Sequence, residues 1–373
     1  LSSLYTTEHG VFAGMDRLKD DVETLAETLW NEGYETAAFT EGGYVRPQLG
    51  LAQGFERFSF QHADVAETFE EANAWIAGRD RPFFAFVQTY KVHAPYDPEG
   101  EPRQLFVRPY DGPLGENVRV GDLPQSHARS DFTEDDLRYL SDLYDAEVLE
   151  LDRALETLLE GLRASGVLDD TVVVLTSDHG EEFGDHGLIG HGNSLYQEQL
   201  GVPLIVRLPT GTAGSRGATG RLRPGRRIAE PVLGIDVAPT ILRATGCPVP
   251  NAWSGAALQQ DPAQIDRPLW VPFRHSRSKT LGAAVRLDDT KMIEYPMELR
   301  PGDPSGPTAL FDLAADPREQ ADLWAERADD QRVWRGKLDG LRARFPVEQP
   351  DRRTVSDAAL RLQLAALGYA NDE

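Results

Sequence analysis

A single cysteine, Cys247, and the lack of any run of about 20 apolar residues remove several possibilities from this 373-residue chain. One thiol cannot build an internal disulfide framework or a cysteine-based zinc site. Without a long apolar run, no segment here spans a bilayer as a helix. Positive charge is also scarce: 38 Lys and Arg against 61 Asp and Glu leave a formal net charge of −23. Such a surface repels polyphosphate backbones and anionic lipid, which argues against nucleic-acid and anionic-membrane partners. The chain opens at Leu1 with no methionine, charged n-region or apolar h-region. Its natural start is therefore expected upstream, and no localisation is read from it. The length suffices to bury roughly three quarters of the unfolded surface, enough for one large core and a satellite domain.

What is present is an alternation of helical and strand patterns, with no solenoid repeat. Val22, Leu25, Ala26, Leu29 and Trp30 mark a helix face that Gly33 stops, and Thr36 to Thr40 reads as a strand. A second helix is expected over Val65 to Ala77. Phe83-Phe84-Ala85-Phe86-Val87 follows, apolar on both faces like a strand inside a covered parallel sheet. Thr133 with Asp136 predicts a capping box. It opens a long helix whose stripe is Leu137, Leu140, Tyr144, Val148, Leu151, Leu155, Leu158 and Leu162, ending at Gly166. Thr171 to Leu175 and Val202 to Val206 are further strands. This order predicts an α/β fold with a largely parallel sheet over residues 1–266. From 267 to 373 the pattern changes to short strands (Leu269 to Phe273, Ala283 to Leu287, Lys291 to Tyr295) and then a helix, a smaller α+β subdomain. Asp316-Pro317-Arg318-Glu319 reads as that helix's start, with an N-cap acid, Pro at N1 and Glu at N3. Asp97 to Asp131 is too long for an ordinary connection and directly follows a candidate site. Thr210 to Arg227 reads as a Gly/Arg-rich surface loop.

Two segments carry chemistry. Ser177-Asp178-His179-Gly180-Glu181 sits just past the carboxyl end of a buried strand, where ligands bind in open α/β sheets. Adjacent carboxylate and imidazole groups there can face one divalent ion, with imidazole favouring softer ions than Ca²⁺. The competing reading is a turn in which Asp178 caps the next helix and His179 packs. His186 and His191 follow within a few residues; His191 is a candidate ligand or substrate contact, and His186 is either functional or an exposed loop histidine. The second segment is Lys91-Val92-His93-Ala94-Pro95-Tyr96, again past a strand end. In extended backbone Lys91 and His93 point the same way, a cation and an imidazole suited to an anionic group. His93 would then protonate a leaving oxygen. A solvated lysine and a histidine completing the turn before Pro95 fit the same letters.

These residues resemble the sulfatases of the alkaline-phosphatase-like superfamily. The block from Ser177 to Glu181, with Gly184-Asp185-His186-Gly187, His191-Gly192, Leu195-Tyr196-Gln197-Glu198 and Val202 to Arg207, is similar to that family's metal loop. Phe83 to Val87 with His93-Ala94-Pro95-Tyr96 resembles its substrate-histidine strand. Asp236 to Thr240, Leu310 to Leu313 with Asp316-Pro317, and Leu367-Gly368-Tyr369 resemble later landmarks. The resemblance implies a three-layer alkaline-phosphatase-like sandwich and hydrolysis of small-molecule or carbohydrate sulfate esters. It implies Asp178 and His179 as metal ligands, His93 and His191 as catalytic and substrate-binding residues, and Lys91 as a substrate contact. Leu4-Tyr5 and His9-Gly10 are similar to the end of the family's N-terminal signature. That puts the formylglycine nucleophile of the C/S-x-P-x-R motif, and the strand bearing two further metal aspartates, upstream of Leu1, so the chain alone is expected to be inactive. Where many family members pair Asp with Asn to hold Ca²⁺, this chain has Asp178-His179, which shifts the expected single ion toward Mn²⁺ or Zn²⁺. The family's Gly-Lys-Trp-His block is replaced around Glu41 to Arg46, so its sulfate contacts are not carried over. A phosphodiesterase, phosphonate monoester hydrolase or phosphoethanolamine transferase is the alternative within the same fold.

Overall fold

The computed structural model describes residues 1–347 except 13–15, 63, 120–130, 211–221, 223–224, 262–264, 266–268, 274–280 and 296–307. The boundary expected at 266/267, the landmark at Leu367 to Tyr369 and most of the Thr210 to Arg227 loop lie outside the described residues, as does part of the Asp97 to Asp131 loop.

A short turn of helix, α1 (Thr6–His9), precedes α2 (Leu25–Asn31), whose N-cap Thr24 accepts from the Glu27 amide while Glu27 accepts from the Thr24 amide. Strand β1 (Glu35–Thr40) lies between β2 (Arg57–Ser59) and β3 (Phe83–Gln88), all parallel. The double-sided apolar run at Phe83 now has its explanation. Phe83, Ala85 and Val87 pack toward α3 (Val65–Ala77) and α5 (Glu134–Ala164), whereas Phe84 packs toward α2 and α7 (Val237–Thr245). Helices on both faces of a parallel sheet make three layers. Helix α4 (Gly100–Phe106) packs on α5 from within the long segment after β3.

Strand β4 (Val173–Thr176) pairs with β7 (Leu204–Arg207), and that pairing is antiparallel. The chain between them makes no helical crossover. It forms the small ladder β5 (Glu182–Phe183) with β6 (Ile189–Gly190) and then α6 (Gln197–Leu200). Beyond it, β8 (Leu269–Phe273), β9 (Gly282–Leu287), β10 (Thr290–Glu294) and β11 (Thr308–Asp312) form one antiparallel sheet in the order β11-β10-β9-β8. Helix α8 (Ala328–Arg344) covers one face through Trp334, Leu338 and Leu341. The opposite face packs on Leu195 and Tyr196, beside α6.

Two local expectations give way to tertiary packing. Asp316-Pro317-Arg318-Glu319 does not start a helix; the residues turn, Glu319 takes φ +56°, and α8 begins only at Ala328. The left-handed backbone delivers the Glu319 carboxylate to the buried Lys291 ammonium at 2.6 Å, and the Asp316 carboxylate accepts from the Ala321 amide instead of capping a helix. On α5, Val148 of the predicted stripe is exposed while Glu147 is buried, because Glu147 is drawn inward by a lysine.

Candidate active site

Both segments picked out in the sequence leave their strands at the same end of the molecule. After β3 the chain does not stay extended. It turns over Tyr90 to His93, closed by a 3.0 Å bond from the His93 amide to the Tyr90 carbonyl, with Val92 at φ +77°. The side-by-side arrangement of Lys91 and His93 expected from extended backbone is therefore replaced. The Lys91 ammonium lies 2.5 Å from Glu150, 3.4 Å from Glu147 and 3.6 Å from Asp97, so three carboxylates surround its charge. It anchors the turn to α5. Burial pushes Glu147 up to about 7 despite Lys91, while Lys91, burial notwithstanding, is raised by these acids. Glu150 holds the ammonium closer, so the more deeply buried Glu147 receives less compensation.

Tyr90 supports the turn from below. Its hydroxyl accepts from the Tyr44 amide at 2.8 Å, and its amide donates to Glu41 at 2.7 Å. A Cβ on Gly43, which sits at φ +57°, would lie 2.2 Å from that hydroxyl, so Gly43 makes room for the ring. The Glu41 to Arg46 stretch, without a role in the sequence reading, is thus the floor under His93.

After β4, Ser177 donates to the His179 carbonyl at 2.7 Å and the His179 amide donates to Asp178 Oδ1 at 3.1 Å. Gly180, in a position where a glycine commonly serves a sharp turn, has another reason here. Its need is instead close approach: a Cβ there would lie 2.0 Å from the Glu198 carbonyl, and the Gly180 amide donates to the Gln199 carbonyl at 2.8 Å. This clamp fixes Asp178 and His179 beside His93 and His191. Ring centroids are 4.0 Å apart for His179 and His191, 5.0 Å for His93 and His191, and 6.4 Å for His93 and His179.

The tautomers follow from what each Nδ1 meets. His93 Nδ1 donates to the Ala94 carbonyl at 2.6 Å and His179 Nδ1 to the Gly180 carbonyl at 2.9 Å, since a carbonyl only accepts. Each lone pair is then on Nε2, and His179 Nε2 lies 3.8 Å from Asp178 Oδ2. An imidazole oriented by a backbone carbonyl next to an 88% exposed carboxylate is a donor set that fits a divalent ion. His191 Nδ1 donates to Glu181 Oε1 at 3.0 Å, and the Tyr96 hydroxyl donates to Glu181 Oε2 at 3.0 Å. Burial, with His191 adding to it, lowers the His93 pKa. Burial alone would lower His191 too, but the Glu181 carboxylate outweighs it and the pKa is raised. Two neighbouring imidazoles thus differ in their hold on a proton, one side of an acid–base arrangement.

Glu181 and Tyr96 carry this difference, and the sequence reading assigned neither a role. The available signal was the adjacency of Glu181 to the Asp178-His179 pair. His186 is not an exposed loop histidine: its side chain is 8% exposed and its ring stacks on Tyr196 with centroids 3.5 Å apart. It is on the other side of β5–β6, where Glu182, His186 and Glu198 form a second group of side chains able to hold a metal ion.

Comparison with known proteins places these residues in context. The family model described as Sulfatase matches residues 1–247. An N-acetylglucosamine-6-O-sulfatase of Bacteroides thetaiotaomicron is 28% identical over 230 residues, 58% of this chain and 38% of that protein. Among solved structures, the phosphonate monoester hydrolase of Agrobacterium radiobacter superposes with a TM-score of 0.73 at 21% identity, covering 92% of this chain and 84% of that one. A protein solved with its substrate D-glucosamine-2-N,6-O-disulfate gives 0.70 at 18% identity, covering 95% and 88%. These structural likenesses concern the fold. The chain spans less than half the length of several curated relatives that it matches.

Proposed function

Because the chain belongs to the sulfatase family, we propose that the cluster of Asp178, His179, His93 and His191 hydrolyses sulfate esters, with a sulfated carbohydrate as the substrate class. The observation that carries this reading is the convergence of three imidazoles and an exposed carboxylate at the end of the sheet where β3 and β4 finish. The sulfatase relatives, one of them named for a 6-O-sulfated amino sugar, support the substrate class.

Asp178 and His179 would hold a divalent ion, Mn²⁺ or Zn²⁺ on their donor types, which when bound supplies Lewis-acid polarisation of sulfate oxygens. His191, whose hold on a proton is strengthened by Glu181, is the group suited to give a proton to the departing alkoxide. His93, whose Nδ1 is taken up by the Ala94 carbonyl, would offer its Nε2 lone pair as an acceptor across the same space. Tyr96 holds Glu181, and Glu181 holds His191, so the acid is positioned through two residues. Lys91 acts by fixing the turn that carries His93 rather than by meeting the anion. The nucleophile on this reading is a formylglycine outside Leu1 to Glu373, and the 373 residues alone are expected to turn over negligibly.

Likeness to a phosphonate monoester hydrolase favours phosphoryl chemistry as the second reading. Full-length protein assayed side by side on an aryl sulfate and an aryl phosphate diester separates the two. Higher kcat/KM on the sulfate is expected; preference for the diester would replace the sulfatase reading with the second one.

A further inference from the structure

Glu181 and Glu182 face opposite ways from neighbouring positions, as successive residues in extended backbone do. Glu181 serves His191, while the side chain of Glu182 is fully buried on the far side, where one of its oxygens accepts from the Ser194 hydroxyl. The carboxylates of Glu182 and Glu198 and the imidazole of His186 each offer a ligand atom within 4.8 Å of the other two. Glu182 Oε2, Glu198 Oε2 and His186 Nδ1 are buried and make no hydrogen bond among the described residues, although the last two are only 3.3 Å apart. Buried acceptors are rarely left this way. Ligand atoms about a metal at roughly 2.1 Å stand about 3 to 4 Å apart, so a small closure brings these into range.

The imidazole is already oriented as a ligand. His186 Nε2 meets the Glu319 carbonyl, an acceptor, at 3.1 Å and the Gln320 side-chain nitrogen, a donor, at 3.3 Å; with the hydrogen given to the shorter contact, Nδ1 presents its lone pair to the carboxylates. Stacking on Tyr196 at an interplanar angle of 6° holds the ring there. Charge points the same way. The buried Lys291–Glu319 pair is self-balanced, so Glu182 and Glu198 are left with at most one imidazolium between them. A divalent cation with a neutral imidazole balances both. An opening of about 290 Å³ lined by Asp185, His186, Tyr196, Phe311 and Gln320 gives access.

We propose that Glu182, His186 and Glu198 form a second divalent-cation site, separate from Asp178 and His179. Two carboxylates and an imidazole suit Zn²⁺ or Mn²⁺. Occupied, it would tie β5, the following loop and α6 together at the face where Glu319, from the turn after β11, arrives with its partner Lys291 of β10. The proposal does not depend on the reaction catalysed at the histidine cluster.

The test is equilibrium dialysis of chelator-stripped protein against Zn²⁺, with elemental analysis, using Asp178→Asn as the background so that the first pair no longer competes. That variant is expected to retain one equivalent of Zn²⁺. Adding Glu182→Gln or Glu198→Gln is expected to weaken binding at least about tenfold. Glu182→Gln preserves shape and an acceptor for Ser194, so it keeps the test valid if Glu198→Gln fails to fold. A Zn²⁺-dependent rise in Tm should appear in the background variant and shrink with Glu182→Gln. No Zn²⁺ uptake by the Asp178→Asn protein, or uptake indifferent to Glu182→Gln, would overturn the proposal; such a protein would hold Glu182 as a neutral acid and His186 as its cation.

Discussion

The two faces of β5–β6 use the same chemical groups to opposite ends. On one face Asp178 lies open, its carboxylate 88% exposed, beside His179 stacked on His191 and His93 edge-on to both. On the other, Glu182, His186 and Glu198 sit beside Tyr196 and Glu319, the latter from the turn after β11. An exposed carboxylate costs little to leave unmatched and remains free to meet a substrate or an ion. An enclosed one must be neutralised where it sits. On the proposed roles, burial of the carboxylate, more than residue type, separates a cluster suited to react from one suited to hold an ion.

That contrast is broken most forcefully by removing the open face's imidazoles. His191→Ala and His93→Ala should each lower kcat on an aryl sulfate by about 10²- to 10⁴-fold in the full-length protein. Losses below threefold would move both residues out of the reaction.

Why the open face was legible in the sequence and the closed one was not is a matter of range. The helix Val65 to Ala77, the capping box at Thr133 and the apolar run at Phe83 are signals contained within a few residues, and the structure has each of them. Asp178-His179 and His93 could be singled out because strand ends are where such clusters gather. Two of the three carboxylates around Lys91 come from α5, more than fifty residues on, and the carbonyl that orients His186 belongs to Glu319, 133 residues on. No local pattern announces those meetings. The same long-range pull turns Glu319 into the core and overrides the Asp316-Pro317 helix start.

The next largest effect concerns Glu147, the buried acid that anchors the His93 turn. Its folded pKa of about 7 stands above the ordinary glutamate value of 4.5, so the folded state binds more protons between these values. Its contribution to stability is therefore full below pH 4.5 and lost as pH rises through 7. At about 1.4 kcal/mol per unit, this amounts to a loss of about 3 kcal/mol at most. Urea unfolding should show Glu147→Gln gaining on the wild type across that window; parallel pH curves would contradict it. Gly180→Ala touches both faces at once, because its new methyl meets the Glu198 carbonyl. A loss of about 1–3 kcal/mol is expected from thermal or denaturant unfolding, and an unchanged midpoint would show that the clamp yields. Smallest is Glu181→Gln, which removes the charge behind His191 but keeps an acceptor. It should cost about tenfold in kcat with KM little changed, since Glu181 acts through another residue. An effect as large as that of His191→Ala would instead bring Glu181 into contact with the reacting atoms.

The central claim, that Asp178 and His179 hold the divalent ion beside His93 and His191, is tested most directly by anomalous diffraction from crystals of the full-length protein soaked in Mn²⁺. The account predicts a peak in contact with both the Asp178 carboxylate and His179 Nε2. A peak confined to Glu182, His186 and Glu198, with none at Asp178, would contradict it.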